Sequence, residues 1–196
     1  GILKRATLTG ANFSGLKLHG RVSTGAGLSG ANLTQGGMVG VDLTGTRLAG
    51  PNFTGVDLPS TTMPLPLTQS TDPHAPTIFA RATLPHSVIG LNWSCLDLTE
   101  TTIVGLPTDL TGLNAMQAIL THRTFDNFTL NGANFSKATL VNTVFSNALL
   151  RNKPLFAGAN MTGAIFTKAK IDGANFVGAA LGGVSRNEAA VFSYAY

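Results

Sequence analysis

The chain has 196 residues, with 13 Lys and Arg against nine Asp and Glu, giving a net charge of +4. Only 11% of residues are charged, well under the roughly 25% of ordinary globular domains, yet no uninterrupted apolar run approaches the roughly 18 residues of a membrane span. These features exclude a transmembrane segment, make nucleic-acid binding through a dense Lys/Arg stripe a poor fit, and leave a surface of small neutral polar groups; a single cysteine, Cys95, excludes an internal disulfide and a thiolate zinc cluster.

The chain opens on Gly1 with no signal or transit segment in view, and because it lacks an initial Met, residues upstream are expected. From Leu3 an apolar residue recurs every five positions: Leu3, Leu8, Phe13, Leu18, Leu28, Leu33, Met38, Leu43, Leu48, Phe53 and Leu58, with Ser23 the one polar member of the series. The position two residues before favours small residues, such as Ala6, Ala11, Ala26 and Ala31, and two residues after it stands glycine in nine of the twelve cases. Neither a helix nor a simple strand has this period. A short extended piece that points residues i−2 and i inward, followed by a turn that brings the next piece inward too, does have it. Glycine at i+2 suits that turn because it accepts positive φ without a Cβ penalty. Asn127, Asn142, Asn147 and Asn152 take the same position later in the chain, and Asn tolerates that region next best. Four such sides, each one pentapeptide long, close a square coil, so the expected fold is an all-β solenoid.

After Leu58 the pattern stops. Residues 59–78 contain five prolines, which cannot donate to a strand ladder, so this segment is read as an excursion that leaves the coil and returns. The series resumes near Phe79 and Leu84 and continues through Val88, Trp93, Leu98 and Ile103. Residues 106–117 read as irregular, with a two-residue insertion before Leu120. The phase is then clean through Phe125, Leu130, Phe135, Leu140, Phe145 and Leu150. One extra residue near Pro154 shifts it to Phe156, Met161, Phe166, Ile171, Phe176 and Leu181. Residues 185–196 are read as a last coil or cap, in which Phe192, Tyr194 and Tyr196 form a plug over the open end or a surface for a second copy in an end-to-end homodimer. The whole of 1–196 is expected to be a single domain.

The pentapeptides Ala-Asn-Phe-Ser-Gly (11–15), Ala-Asn-Leu-Thr-Gln (31–35), Ala-Asn-Phe-Ser-Lys (133–137) and Ala-Asn-Met-Thr-Gly (159–163) resemble the pentapeptide repeat family. That resemblance implies a right-handed quadrilateral β-helix, of about eight coils at this length. It implies a shape rather than a reaction. The best-known members protect DNA gyrase by imitating DNA, which requires a strongly negative rod, and a net charge of +4 has the wrong sign for that.

No motif points to catalysis, a cofactor or a metal. His19, His74, His86 and His122 lie outside metal-ligand spacing of one another and of Cys95. Asp42, Asp57, Asp97 and Asp172 fall on outer positions of the repeat, and the glycines recur as turns with no helix after them. Two groups of residues are candidates for interaction. Asn12, Asn32 and Asn52, with Ser14, Thr34 and Thr54, recur at every fourth pentapeptide and are expected to stack as a polar ladder that bonds along the coil. Each belongs to an Asn-x-Ser/Thr sequon, so a secreted carbohydrate-binding or adhesion rod is an alternative reading. Between Asn127 and Ile171 there is no acidic residue, while Lys137, Arg151, Lys153, Lys168 and Lys170 all occur, with Arg151 expected beside Asp172 on the next coil and Lys168 and Lys170 nearby. This basic patch suits an acidic partner or an anionic lipid surface. The reading that results is a non-catalytic scaffolding element that binds protein partners, alone or as a subunit of a larger assembly.

Overall fold

The computed structural model describes residues 12–15, 31–36, 50–56, 58, 77–85, 92–182 and 192. The chain forms two compact units, Gly1–Gly90 with Cys95–Leu106, and Leu91–Ser94 with Pro107–Tyr196. All regular structure among the described residues is β, and every pairing is parallel.

In the second unit the five-residue period is built from one repeated device. At the regular corners the N–H of the residue three past the central position donates to the central residue's carbonyl, as Arg123 does to Leu120 at 3.0 Å and Ala148 to Phe145 at 3.1 Å. The residue at i+2 has positive φ, as a type II β-turn requires at its third position. Gly132, Gly158 and Gly178 supply it without strain, while His122, Asn142 and Lys168 adopt the same geometry at φ 61, 55 and 58. Between turns, short extended pieces pair with the equivalent piece one coil on: Asp109 with Thr129, Asn114 with Asn134, Ile119 with Thr139, and Thr124 with Val144. Each of these four successive pieces meets a partner 20 residues on, and the face of the chain that one such row of paired pieces forms is termed a wall. β5 (Leu149–Leu150) and β6 (Lys170–Ile171) are the pair long enough to count as strands here.

The coil lengthens by a single residue between Asn134 and Leu155. The extra residue sits where Asn152 and Lys153 both take positive φ, 60 and 56, a two-residue corner in place of the usual one. Residues 106–117 are more regular than the sequence indicates. Leu110, Ala115 and Leu120 already hold central positions, all fully buried, and the two extra residues of the series fall between Ile103 and Leu110. Ala115 conceals the phase because it is small. Trp93 lies on the neighbouring rung, its backbone N–H donating to Asn114 O at 2.7 Å, and its ring stacks with Phe125 at 6.0 Å between centroids.

The core alternates by wall. Central positions run Leu120, Phe125, Leu130, Phe135, Leu140, Phe145, so a four-sided coil places Phe on two opposite walls and Leu on the other two. One aromatic column stacks Phe125, Phe145 and Phe166, at 5.3 and 4.7 Å between ring centroids. The facing column stacks Phe135, Phe156 and Phe176, at 5.2 and 5.0 Å. Across the interior the rings meet edge to face, at interplanar angles of 79° for Phe135 with Phe145 and 89° for Phe145 with Phe156, the arrangement favoured by the ring quadrupoles. Inward i−2 positions hold Ala118, Ala133, Ala138, Ala148, Ala159 and Ala164. Thr143 is tolerated among them because its Oγ1 donates to Leu120 O at 3.0 Å.

The first unit uses the same turns with less uniform coils. β1 (Thr77–Ile78) pairs with β3 (Leu96–Asp97), and β2 (Thr83–Pro85) with β4 (Thr102–Val104), each one residue short of four full pentapeptides. Asn12, Asn32 and Asn52 form one continuous ladder that runs on through Ile78 to Asp97. The path from Asn52 to Ile78 is longer than the coils before it, and Thr77 and Ile78, the last two residues of the expected excursion, are already back in the wall. Residues 59–76 lie outside the described residues. Leu33, Phe53, Phe79 and Leu98 are buried, and Phe13 is half-buried.

Candidate functional site

The Asn ladder is shaped by turn chemistry. The Oδ1 atoms of Asn12, Asn32 and Asn52 accept from the N–H of Ser14, Thr34 and Thr54, at 3.1, 3.1 and 3.0 Å. Thr54 Oγ1 adds a second bond to Asn52 Oδ1 at 2.6 Å. The same contact two residues on recurs at Asp97, Asp109, Asn134, Asn160 and Asn175. It is the Asx turn, in which a short polar side chain mimics a turn of backbone. Asn at the second place of the pentapeptide therefore serves its own corner, and the oxygens expected to bond along the coil are directed within it. A bond along the coil appears at Asn114, whose Nδ2 donates to Asn92 Oδ1 at 3.2 Å. Asp109 shows the charged form of the motif: the hydroxyl and N–H of Thr111, at 2.7 and 2.9 Å, hold its carboxyl below the usual carboxylate range.

The basic residues gather on the wall whose inner side carries Leu110, Leu130, Leu150 and Ile171. Leu149 pairs with Lys170 and Leu150 with Ile171, which sets Arg151 opposite Asp172, in agreement with the sequence reading. Lys168 stands at the corner that opens the Lys170 rung. Lys153 stands at the corner that closes the Arg151 rung, its N–H donating to Asp172 O at 3.2 Å. The Arg151 backbone is fixed from both sides: its N–H donates to Asn131 Oδ1 at 3.0 Å, and its carbonyl accepts from the Gly132 N–H at 2.7 Å. Arg151, Lys170, Ile171 and Asp172 line an open groove of about 350 Å³. Arg151, Lys153, Lys168 and Asp172 are exposed, and Lys170 is half-buried. Among the described residues Arg151 and Asp172 do not close an ion pair; Arg81 and Glu100 of the first unit do, at 2.9 Å.

The C-terminal aromatics divide. Phe192 stacks on Phe166 at 4.8 Å with 5° between planes and meets Phe176 edge-on, extending the inner aromatic column by one ring. Tyr194 and Tyr196 lie outside the described residues, as do His19, His74 and His86. His122 is an exposed corner, Cys95 a buried thiol at a corner with φ 56. Among the described residues no group of three His, Cys, Asp or Glu is placed to hold a metal ion, and no helix is long and apolar enough to cross a membrane.

One residue escaped the sequence reading. Arg123 occupies an inward i−2 position where Ala recurs, is only 9% exposed, and holds its guanidinium 5.7 Å from the centroid of the Trp93 ring. Burial lowers its pKa to about 10. The available signal was its phase: it stands three residues after Leu120 and two before Phe125.

Eight copies of the pentapeptide repeat motif match over residues 26–63, 116–152 and 155–185, together more than half of the chain. The chain belongs to the pentapeptide repeat family. No curated protein matches its sequence. Similar solved structures include the pentapeptide repeat protein Rfr23 of the cyanobacterium Cyanothece 51142, at 21% identity over 82% of this chain and 90% of that one, with a TM-score of 0.38. HetL of the cyanobacterium Nostoc sp. strain PCC 7120, involved in heterocyst differentiation regulation, is 22% identical over 98% and 83%, with a TM-score of 0.25. Full-length QnrB1, a plasmid-mediated fluoroquinolone resistance protein, is 16% identical over 100% and 93%, with a TM-score of 0.29.

Proposed function

We propose that the chain is a non-catalytic scaffolding element, built on right-handed quadrilateral β-helical coils, that binds protein partners through the side chains on its outer walls. The observation that carries this reading is the use of the backbone. Turn carbonyls, wall amides and Asx oxygens are all engaged in holding the coil, so the rows at i−1 and i+1 are rigidly spaced by the ladder, about 4.8 Å from rung to rung. Side chains there vary freely without penalty to the core. A surface of that kind presents a fixed pattern to another macromolecule, which is how solenoids bind. Protection of gyrase by imitation of DNA is the second reading, and the net charge of +4 weighs against it.

The reading is tested by placing a photo-crosslinking amino acid in turn at Met116, Thr121, Ser146 and Arg151, one on each wall of the second unit, in the organism of origin. The expected result is a covalent adduct with the same protein from one or two walls and none from the others. Absence of protein adducts from all four would overturn the scaffolding role.

A further inference from the structure

We infer that the groove between Arg151 and Lys170 is a docking site for an extended acidic peptide segment of the partner, with two carboxylates spaced two residues apart. The inference rests on the scaffolding reading and names the partner's chemistry. The spacing follows from register. Lys170 pairs with Leu149, so Arg151, two residues beyond Leu149, is the diagonal neighbour of Lys170, roughly 7–8 Å away by the usual geometry of such pairs. Same-side residues of an extended chain stand about 6.6 Å apart. A strand laid along this wall therefore presents alternate side chains to the two cations.

The groove has further features that select such a ligand. The double corner at Asn152 and Lys153 keeps two non-glycine residues in the left-handed region in succession, a conformation the rest of the described coil avoids, directly after Arg151. Asp172 lies within the same groove. It repels a third carboxylate placed over it and accepts from a Lys, Ser or Thr, which fixes the peptide's register. It also argues against a lipid surface, since a plane of anionic headgroups would press on Asp172 as closely as on Lys170. At neutral pH Arg151 offers two parallel donors to a carboxylate, the geometry that makes such pairs specific.

The test is fluorescence anisotropy with labelled Gly/Ser peptides of equal charge, bearing two Glu separated by one residue, adjacent, or separated by four. The expected result is tightest binding to the first, lost at 1 M salt where screening acts within about 3 Å. Arg151→Glu and Lys170→Glu should each weaken it about tenfold or more, and Arg151→Gln by less. Lys137→Glu, at an exposed corner of a different wall, should leave it within twofold. Asp172→Asn should tighten binding of a peptide with a third Glu several-fold. Equal loss in Lys137→Glu and Arg151→Glu, or indifference to Glu spacing, would overturn the inference. So would Arg151-dependent binding of phosphatidylserine vesicles or inorganic phosphate without binding of the peptide. If Arg151→Glu leaves the partner adducts from the other walls intact and the peptides do not bind, the groove assignment fails while the scaffolding reading stands.

Discussion

Replacing Phe145 with alanine should lower stability by about 3–5 kcal/mol, with chemical denaturation followed by circular dichroism as the readout. Phe145 is fully buried and touches four other rings: Phe125 and Phe166 in its own column, at 5.3 and 4.7 Å, and Phe135 and Phe156 across the interior, at 5.5 and 6.0 Å. Truncation removes the transfer free energy of the ring and leaves a cavity that ladder-bonded walls cannot collapse to fill. Phe145→Leu, which suits a position whose neighbouring walls carry Leu140 and Leu150, should cost less than half as much. Phe176→Ala is the internal control. Phe176 is half-buried and contacts Phe156 and Phe192, so its loss should cost clearly less than that of Phe145. Equal costs at the two sites would mean that the aromatic columns do not carry the stability of the coil.

The second large effect is at Arg123. Burial lowers its pKa to about 10, which corresponds to about 3 kcal/mol of penalty for keeping the guanidinium charged in the interior. Its contact with the Trp93 ring offsets part of that, on the order of 1–2 kcal/mol for a desolvated cation–π pair. Arg123→Met, which keeps the length of the side chain and removes both the charge and its desolvation penalty, should therefore cost clearly less than Arg123→Glu. Arg123→Glu should cost more than about 3 kcal/mol, because it places a charge that the ring repels in a buried site. The pH dependence has a definite sign. Below about pH 10 both folded and unfolded states carry the proton, and stability does not depend on pH through this group. Above about pH 10, until the arginine of the unfolded chain itself loses its proton, the unfolded state binds more protons, so stability rises with pH. Relative to Arg123→Met, the natural chain should gain stability over that interval, and the emission of its single tryptophan should change near pH 10 in the natural chain alone. A loss of several kcal/mol in Arg123→Met would show that the charge itself holds the fold.

The period of five was legible because three independent positions repeat in phase: the small residue at i−2, the Leu or Phe at i, and the Gly or Asn at i+2. Each has a separate physical requirement, so their agreement fixes the coil. Where one requirement is met by an unusual residue, the phase fades. Ala115 at a central position made 106–117 look irregular, because a small buried residue there does not mark the phase. Arg123 was overlooked because space for a long side chain at an i−2 position comes from neighbouring rungs, here from Trp93. The alternation of Leu and Phe was visible in order, but its consequence, stacked columns on opposite walls meeting edge to face, needs the four-sided coil. For the candidate site, the gap in acidic residues between Asn127 and Ile171 is legible in the sequence. The groove was not legible, because it depends on the register that brings Arg151 beside Lys170, Ile171 and Asp172 across the one-residue lengthening of the coil. The Asn ladder was legible as a row, while the direction of its hydrogen bonds, into each corner, is a property of the Asx turn.

The most direct test of the coil is a cysteine scan from 138 to 150 in a Cys95→Ala background, with alkylation rates measured on the folded protein. Positions 138, 140, 143, 145, 148 and 150 are buried and the residues between them are not. Protection should therefore fall at alternating intervals of two and three residues, repeating every five. A repeat of 3.6 or of two, or protection at Asn142 and Asn147, would contradict a wall lined by every fifth side chain.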